Sequence, residues 1–190
     1  VAAKGAITDS TLDDPTIVSL KRTLRWTEAC IPIPIPRRSH RRGGPSPAVF
    51  CASVYARPGV DNTDLFKKVW EAAARVGNVP YFICMDAQID IQDSHFLQHV
   101  LTQGWHNVAQ GSSDESAPTY GQSLDWDRRS PGPNCTRIDY VFTNTVGRGL
   151  VTDFSVLRTL TTKQHLGLKV TLDLDLATGK VNRLRLPRPY

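Results

Sequence analysis

The run Pro80–Met85, PYFICM, holds six uncharged, mostly apolar residues and then meets Asp86. A strand of that composition is apolar on both faces, so it belongs in a sheet covered on both sides. This requirement rules out a lone exposed sheet and calls for a layered α/β domain. An unpaired carboxylate inside such a strand would cost several kcal/mol. Asp86 is therefore expected at the strand's carboxyl end, the edge where α/β sheets present ligands.

The chain is large enough for such a domain. With 190 residues and 40% hydrophobic content, a single domain can bury roughly 70% of the surface its unfolded form exposes. No window approaches the ~18 consecutive apolar residues of a membrane span, and no signal pattern opens the chain. The sequence reads as a soluble, intracellular protein with no membrane partner. It begins at Val1 without a methionine, which suggests a processed product or a fragment of something longer.

The net charge of +5 points weakly toward an anionic partner, either nucleic acid or a phosphorylated small molecule. RRSHRR and the tail KVNRLRLPRPY hold eight of the 23 Lys and Arg residues. A solvated loop explains the first run better than a phosphate-tracking groove, because no aromatic residues interleave with it. The four cysteines form no CxxC pair, which leaves a zinc ribbon unsupported and favours reduced thiols in apolar strands.

Strand and helix patterns alternate along the chain. SLKRTLRWTEACI and AVFCASVYA read as antiparallel neighbours, flanking the exposed basic Pro/Gly-rich loop over 36–47. Leu65, Phe66, Val69, Trp70, Ala73 and Val76 recur at helical spacing, with Asn62 or Thr63 as cap and Gly77 as stop. A second helix spans Ser94 to Gln103, and a polar loop runs over Asn107–Asn134. RIDYVFTN, VTDFSVLRT and HLGLKVTLDLDL are the closing strands.

Period-two alternation assigns faces on these strands. Ile138, Tyr140 and Phe142 share one face, which puts Arg137 and Asp139 on the other, outside the packed layer. The even positions from Leu166 to Leu176 are all Leu or Val, so His165 begins its strand on the polar side. Asp86, Asp139 and His165 can then converge on one pocket as a base for water, an orienting acid and a cation or hydrogen-bond donor. His95 and His99, four apart on a helix, suit a zinc pair by spacing. They lack the glutamate and third ligand such a site needs, so a solvated helix face is the simpler reading.

The same segments, in the same order, resemble the C-terminal half of the endonuclease/exonuclease/phosphatase superfamily over roughly Val49 to Leu174. ASVYA resembles that family's NVYAP strand, CMDAQ stands where it has GDFN, and PTYGQS resembles its PT(F/Y) segment. RIDYVFTN closely resembles RIDYIFVS, the most specific of these motifs, and TTKQHLGLKV aligns with SDHxPV. The resemblance implies part of a four-layer α/β sandwich with a mixed, mainly antiparallel sheet, one domain over 1–190 lacking its N-terminal strands. It implies a Mg²⁺-dependent hydrolase of phosphodiesters or phosphomonoesters, a nuclease or phosphatase. Asp86 would activate water, His165 would contact the scissile phosphate, and Asp139 would hold the imidazole. Tyr55, Gln88 and Arg137 would contact substrate.

The departures fall on the chemistry. Gln88 replaces the family's Asn and is one methylene longer; a displacement of about 1 Å at a positioning group can cost around 10²-fold in rate. Gln164 stands in place of a metal-binding Asp, and its amide brings no charge, so Mg²⁺ affinity should fall. Met85 replaces a glycine beside Asp86. The family's metal-binding Glu has no counterpart, since Glu28, the only Glu before Val49, lies in a different strand. Two readings stay open: a divergent or truncated hydrolase, or a non-catalytic descendant that binds nucleic acid or a protein. A decaying mobile-element nuclease would carry both sets of features.

Overall fold

The computed structural model describes residues 14–33, 48–121, 135–162 and 164–176. The basic loop expected over 36–47 and the basic tail lie outside them.

Helix α1 (Pro15–Arg22) starts on an Asp14 side chain that accepts from the Thr16 amide at 2.8 Å, with Pro15 in the first turn. A cap followed by proline fixes a helix start, because proline's missing N–H would be unsatisfied there anyway. This corrects the expected first strand: Ser19–Arg22 is helical, and β1 begins only at Trp26 (Trp26–Pro32). Ile17 and Leu20, three apart, are the buried positions of α1. β2 (Ala48–Tyr55) pairs antiparallel with β1 as the alternation predicts.

Helix α2 (Thr63–Arg75) follows its predicted spacing and buries Phe66, Val69, Trp70, Ala72 and Ala73. Asn62 precedes it without capping it; its side chain instead bonds the backbone of Arg57 and Val60. Arg75 pairs with Asp14, and Lys68 donates to the Ser19 hydroxyl at 3.1 Å, so α2 and α1 are held together. β3 (Tyr81–Asp86) ends on the aspartate as expected, and a single 3₁₀ turn (Ile91–Asp93) leads into α3 (His95–Thr102).

The remaining elements are β4 (Trp105–Asn107), β5 (Tyr120–Gly121), β6 (Cys135–Thr136), β7 (Asp139–Asn144), α4 (Thr145–Arg148), β8 (Val151–Thr162) and β9 (His165–Leu172). The stretch read as one polar loop thus contributes β5 and the last residue of β4 to the sheets. β9 stops at Leu172, so Leu174 and Leu176, predicted on its apolar face, are exposed.

Two sheets result, in the orders β1-β2-β3-β7-β4 and β6-β5-β9-β8. Among the pairs in the first, β2–β3 is parallel; the others are antiparallel. Ile83, Met85, Tyr140 and Phe142 turn toward α1, α2 and α3, where Trp70 packs against Phe142 at 5.4 Å between ring centroids. Phe82 and Val141 turn the other way, onto Phe154, Val156 and Leu166 of the second sheet. The described residues form three layers, a mixed α/β sandwich with β3 covered on both sides.

Candidate active site

Three strands of the first sheet end in one row. Tyr55 of β2 lies in register with Asp86 of β3, and Asp86 lies in register with Asp139 of β7. Side chains alternate along each strand, so residues two apart share a face. Tyr55 shares its face with Val49 and Cys51, Asp86 with Phe82 and Cys84, and Asp139 with Val141, all facing the second sheet. The row therefore opens between the two sheets, at the edge of the apolar layer. From the second sheet His165, the first residue of β9, reaches it: its Nδ1 donates to Asp139 Oδ2 at 2.9 Å.

The residue that holds this junction has no assigned role in the sequence reading. Thr119 is fully buried, and its hydroxyl accepts the Ile138 and Asp139 amides at 3.2 and 3.0 Å. Its carbonyl accepts the Leu166 amide at 2.8 Å. One residue thus sets the start of β7 against the start of β9. Tyr120 follows, with its ring edge-on to the His165 imidazole at 5.0 Å. Its hydroxyl donates to Gln164 Oε1 at 3.0 Å, so the amide expected to face a metal is exposed and already bonded. The signal for both residues was the PTYGQS segment itself.

Asp86 is half-buried beside another acid. Burial, and then the nearby Asp139 carboxylate, push its pKa above the ordinary carboxylate value; the Gln88 hydrogen bond and His165 oppose the shift. Gln88 has φ +56°, a left-handed conformation uncommon for a residue with a side chain. That backbone turns its side chain back, and Nε2 donates to both Asp86 oxygens at 2.7 and 2.8 Å.

Arg137 stands apart from the expected arrangement. It is 8% exposed, not outside the packed layer. Its guanidinium donates to the carbonyls of Asp114 and Ala117 at 2.8 and 3.1 Å and lies over the rings of Tyr140 and Phe154. A turn whose carbonyls accept from the guanidinium, which strand alternation does not reveal, holds the side chain inward. Glu28 accepts from the Tyr81 hydroxyl on β3, away from the carboxyl end of that strand.

The donor atoms of Asp86, Asp139 and His165 lie within 4.8 Å of one another, the one cluster of three potential ligands found among the described residues. His95 and His99 gain no third ligand there. The two carboxylates, with the imidazole alongside, form a set that a hard divalent cation fits, and it would relieve the Asp139 repulsion that, after burial, raises the pKa of Asp86.

No protein-family profile and no curated protein matches the sequence. Solved structures do match in fold. The endonuclease domain of TRAS1, a telomere-specific non-LTR retrotransposon, aligns at a TM-score of 0.56 and 16% identity, over 78% of this chain and 63% of that one. The catalytic domain of Xenopus laevis APE2 aligns at 0.53 and 14% identity, over 83% and 58%. An endonuclease/exonuclease/phosphatase family protein of Bacteroides thetaiotaomicron aligns at 0.52 and 12% identity, over 76% and 54%. The chain has the endonuclease/exonuclease/phosphatase fold, and it spans less than two thirds of the length of these three structures.

Proposed function

We propose that this chain carries the reacting half of a phosphoester hydrolase, a nuclease or phosphatase in type. The observation that carries this reading is the Asp139–His165 hydrogen bond beside Asp86, built from the ends of three strands in two sheets. The Asp139 carboxylate fixes the imidazole with Nδ1 as donor, which leaves Nε2 to face a phosphate oxygen. Asp86, with its pKa raised above the ordinary carboxylate value by burial and by Asp139, is a stronger base toward the attacking water than an ordinary carboxylate. Tyr55, 49% exposed beside Asp86, is placed to meet the same phosphate. The carboxylates of Asp86 and Asp139 would hold a divalent cation, Mg²⁺ by resemblance, which when bound would neutralise charge on the phosphate oxygens. The neighbouring structures, among them the TRAS1 endonuclease domain and a mannosyl-6-phosphatase, support nucleic acid or a phosphorylated small molecule as substrate.

One observation favours a second reading, a non-catalytic descendant that binds nucleic acid or a protein. Gln88 satisfies both Asp86 oxygens, and Tyr120 engages the Gln164 amide, so two polar groups of the site are bonded within the chain.

Hydrolysis of plasmid DNA, single-stranded DNA and a phosphomonoester with Mg²⁺, comparing this chain with His165→Ala, separates the two. Metal-dependent turnover that disappears in the variant is expected; equal background from both proteins removes the catalytic reading.

A further inference from the structure

A cavity of about 660 Å³ opens between the first turns of α2 and α3 and reaches the candidate site at Gln88. Its wall is aromatic. The Phe66 and Phe96 rings lie 6.4 Å apart and 27° from parallel, and Trp70 braces Phe96 edge-on at 5.7 Å. That bracing fixes the plane of Phe96, which is only partly buried. His95 and His99, both exposed, bring two further planar rings to the opening. The charges are set against an anion: Lys67, the one Lys or Arg of the lining, is outnumbered by Asp61 and Asp93.

This combination suits a flat, uncharged ligand that donates hydrogen bonds at its edge. A nucleobase has that character, since its faces stack on aromatic rings and an exocyclic amine can donate to a carboxylate. A phosphate group does not. The volume accommodates one base and falls within the usual range of small-ligand cavities.

We propose that this cavity seats an unpaired nucleobase adjacent to the phosphate contacted by His165 and Tyr55, so that the ligand is a single-stranded nucleic acid. The inference rests on the hydrolase reading for the position of the phosphate, but its test needs no turnover. A base still stacked in a duplex cannot enter, so the strand must be single or locally opened.

The test is fluorescence anisotropy of a labelled single-stranded oligodeoxynucleotide in EDTA, using the full chain, His99→Ala, Phe96→Leu and His165→Ala. Loss of one base–aromatic stack corresponds to a roughly 5- to 150-fold weaker Kd. That loss is expected for Phe96→Leu and a smaller one for His99→Ala, with competition by a nucleoside monophosphate and none by ribose 5-phosphate. His99 is exposed, so its variant reads the cavity even if Phe96→Leu disturbs packing. Wild-type affinity in both cavity variants, or equal competition by ribose 5-phosphate, overturns the proposal. If His165→Ala alone weakens binding, the phosphate site stands and the base cavity falls; if the cavity variants alone weaken it, the cavity stands and the phosphate placement falls.

Discussion

His165 Nδ1 and Asp139 Oδ2 meet at 2.9 Å across the two sheets of the sandwich, the first residue of β9 against the first residue of β7. Such a pair orients an imidazole only while the acceptor is a carboxylate. Asp139→Asn keeps the shape but can present an N–H to Nδ1, which favours the wrong tautomer. Phosphoester hydrolysis should fall about 10²- to 10⁴-fold in this variant, with an unchanged far-ultraviolet circular dichroism spectrum.

Thr119 acts on the same pair through the backbone. Thr119→Val preserves volume and strands two amides that the hydroxyl now satisfies. Leaving buried donors unpaired costs about 1–3 kcal/mol, which thermal melting will register. If Thr119 also positions Asp139 against His165, kcat should fall while KM holds, and Thr119→Ser, which keeps the hydroxyl, should restore both stability and kcat. Restored stability without restored kcat would argue against the positioning role.

Asp86 gives the pH signature. Its folded pKa is raised, so its contribution to stability is full below the ordinary carboxylate value and is lost as pH rises through the raised one. Above that window the folded chain holds two facing carboxylates. Asp86→Asn removes one charge and leaves an amide oxygen for Gln88. Its Tm should exceed that of the wild-type chain by a few degrees at pH 7, and the two should converge near pH 3. A variant less stable at pH 7 would mean that the Gln88 clamp outweighs the repulsion.

The parts of this site that local chemistry dictates are legible in the sequence. Asp86 must end its strand because PYFICM cannot carry a charge inside, and α2 follows from apolar residues at helical spacing. The rest depends on partners distant along the chain. Arg137 looks solvated by alternation, and the carbonyls of Asp114 and Ala117 with the rings of Tyr140 and Phe154 explain its burial. Gln88 looks displaced by a methylene, yet its positive φ returns the amide to Asp86. α1 is a misreading of a different kind: Asp14 and Pro15 mark a helix start in plain view, while the β-like run after Arg25 draws the strand too far back.

Cation binding joins these strands of argument. Asp86 and Asp139 face each other with His165 alongside, and a divalent ion there replaces the proton that Asp86 otherwise holds at low pH. Added Mg²⁺ should therefore stabilise the chain by about 2.7 kcal/mol when its concentration is 100 times Kd, which raises Tm by roughly 5–10 °C in a chain of this length. The gain should grow as pH rises through the raised pKa of Asp86, because below it the cation must displace a proton. It should shrink in Asp139→Asn, which removes a ligand charge, and persist in Arg137→Lys, whose guanidinium is committed to the Asp114 and Ala117 carbonyls. A Mg²⁺ effect of equal size in Asp86→Asn and the wild-type chain would place the ion elsewhere and return Asp86 to the Gln88 amide alone.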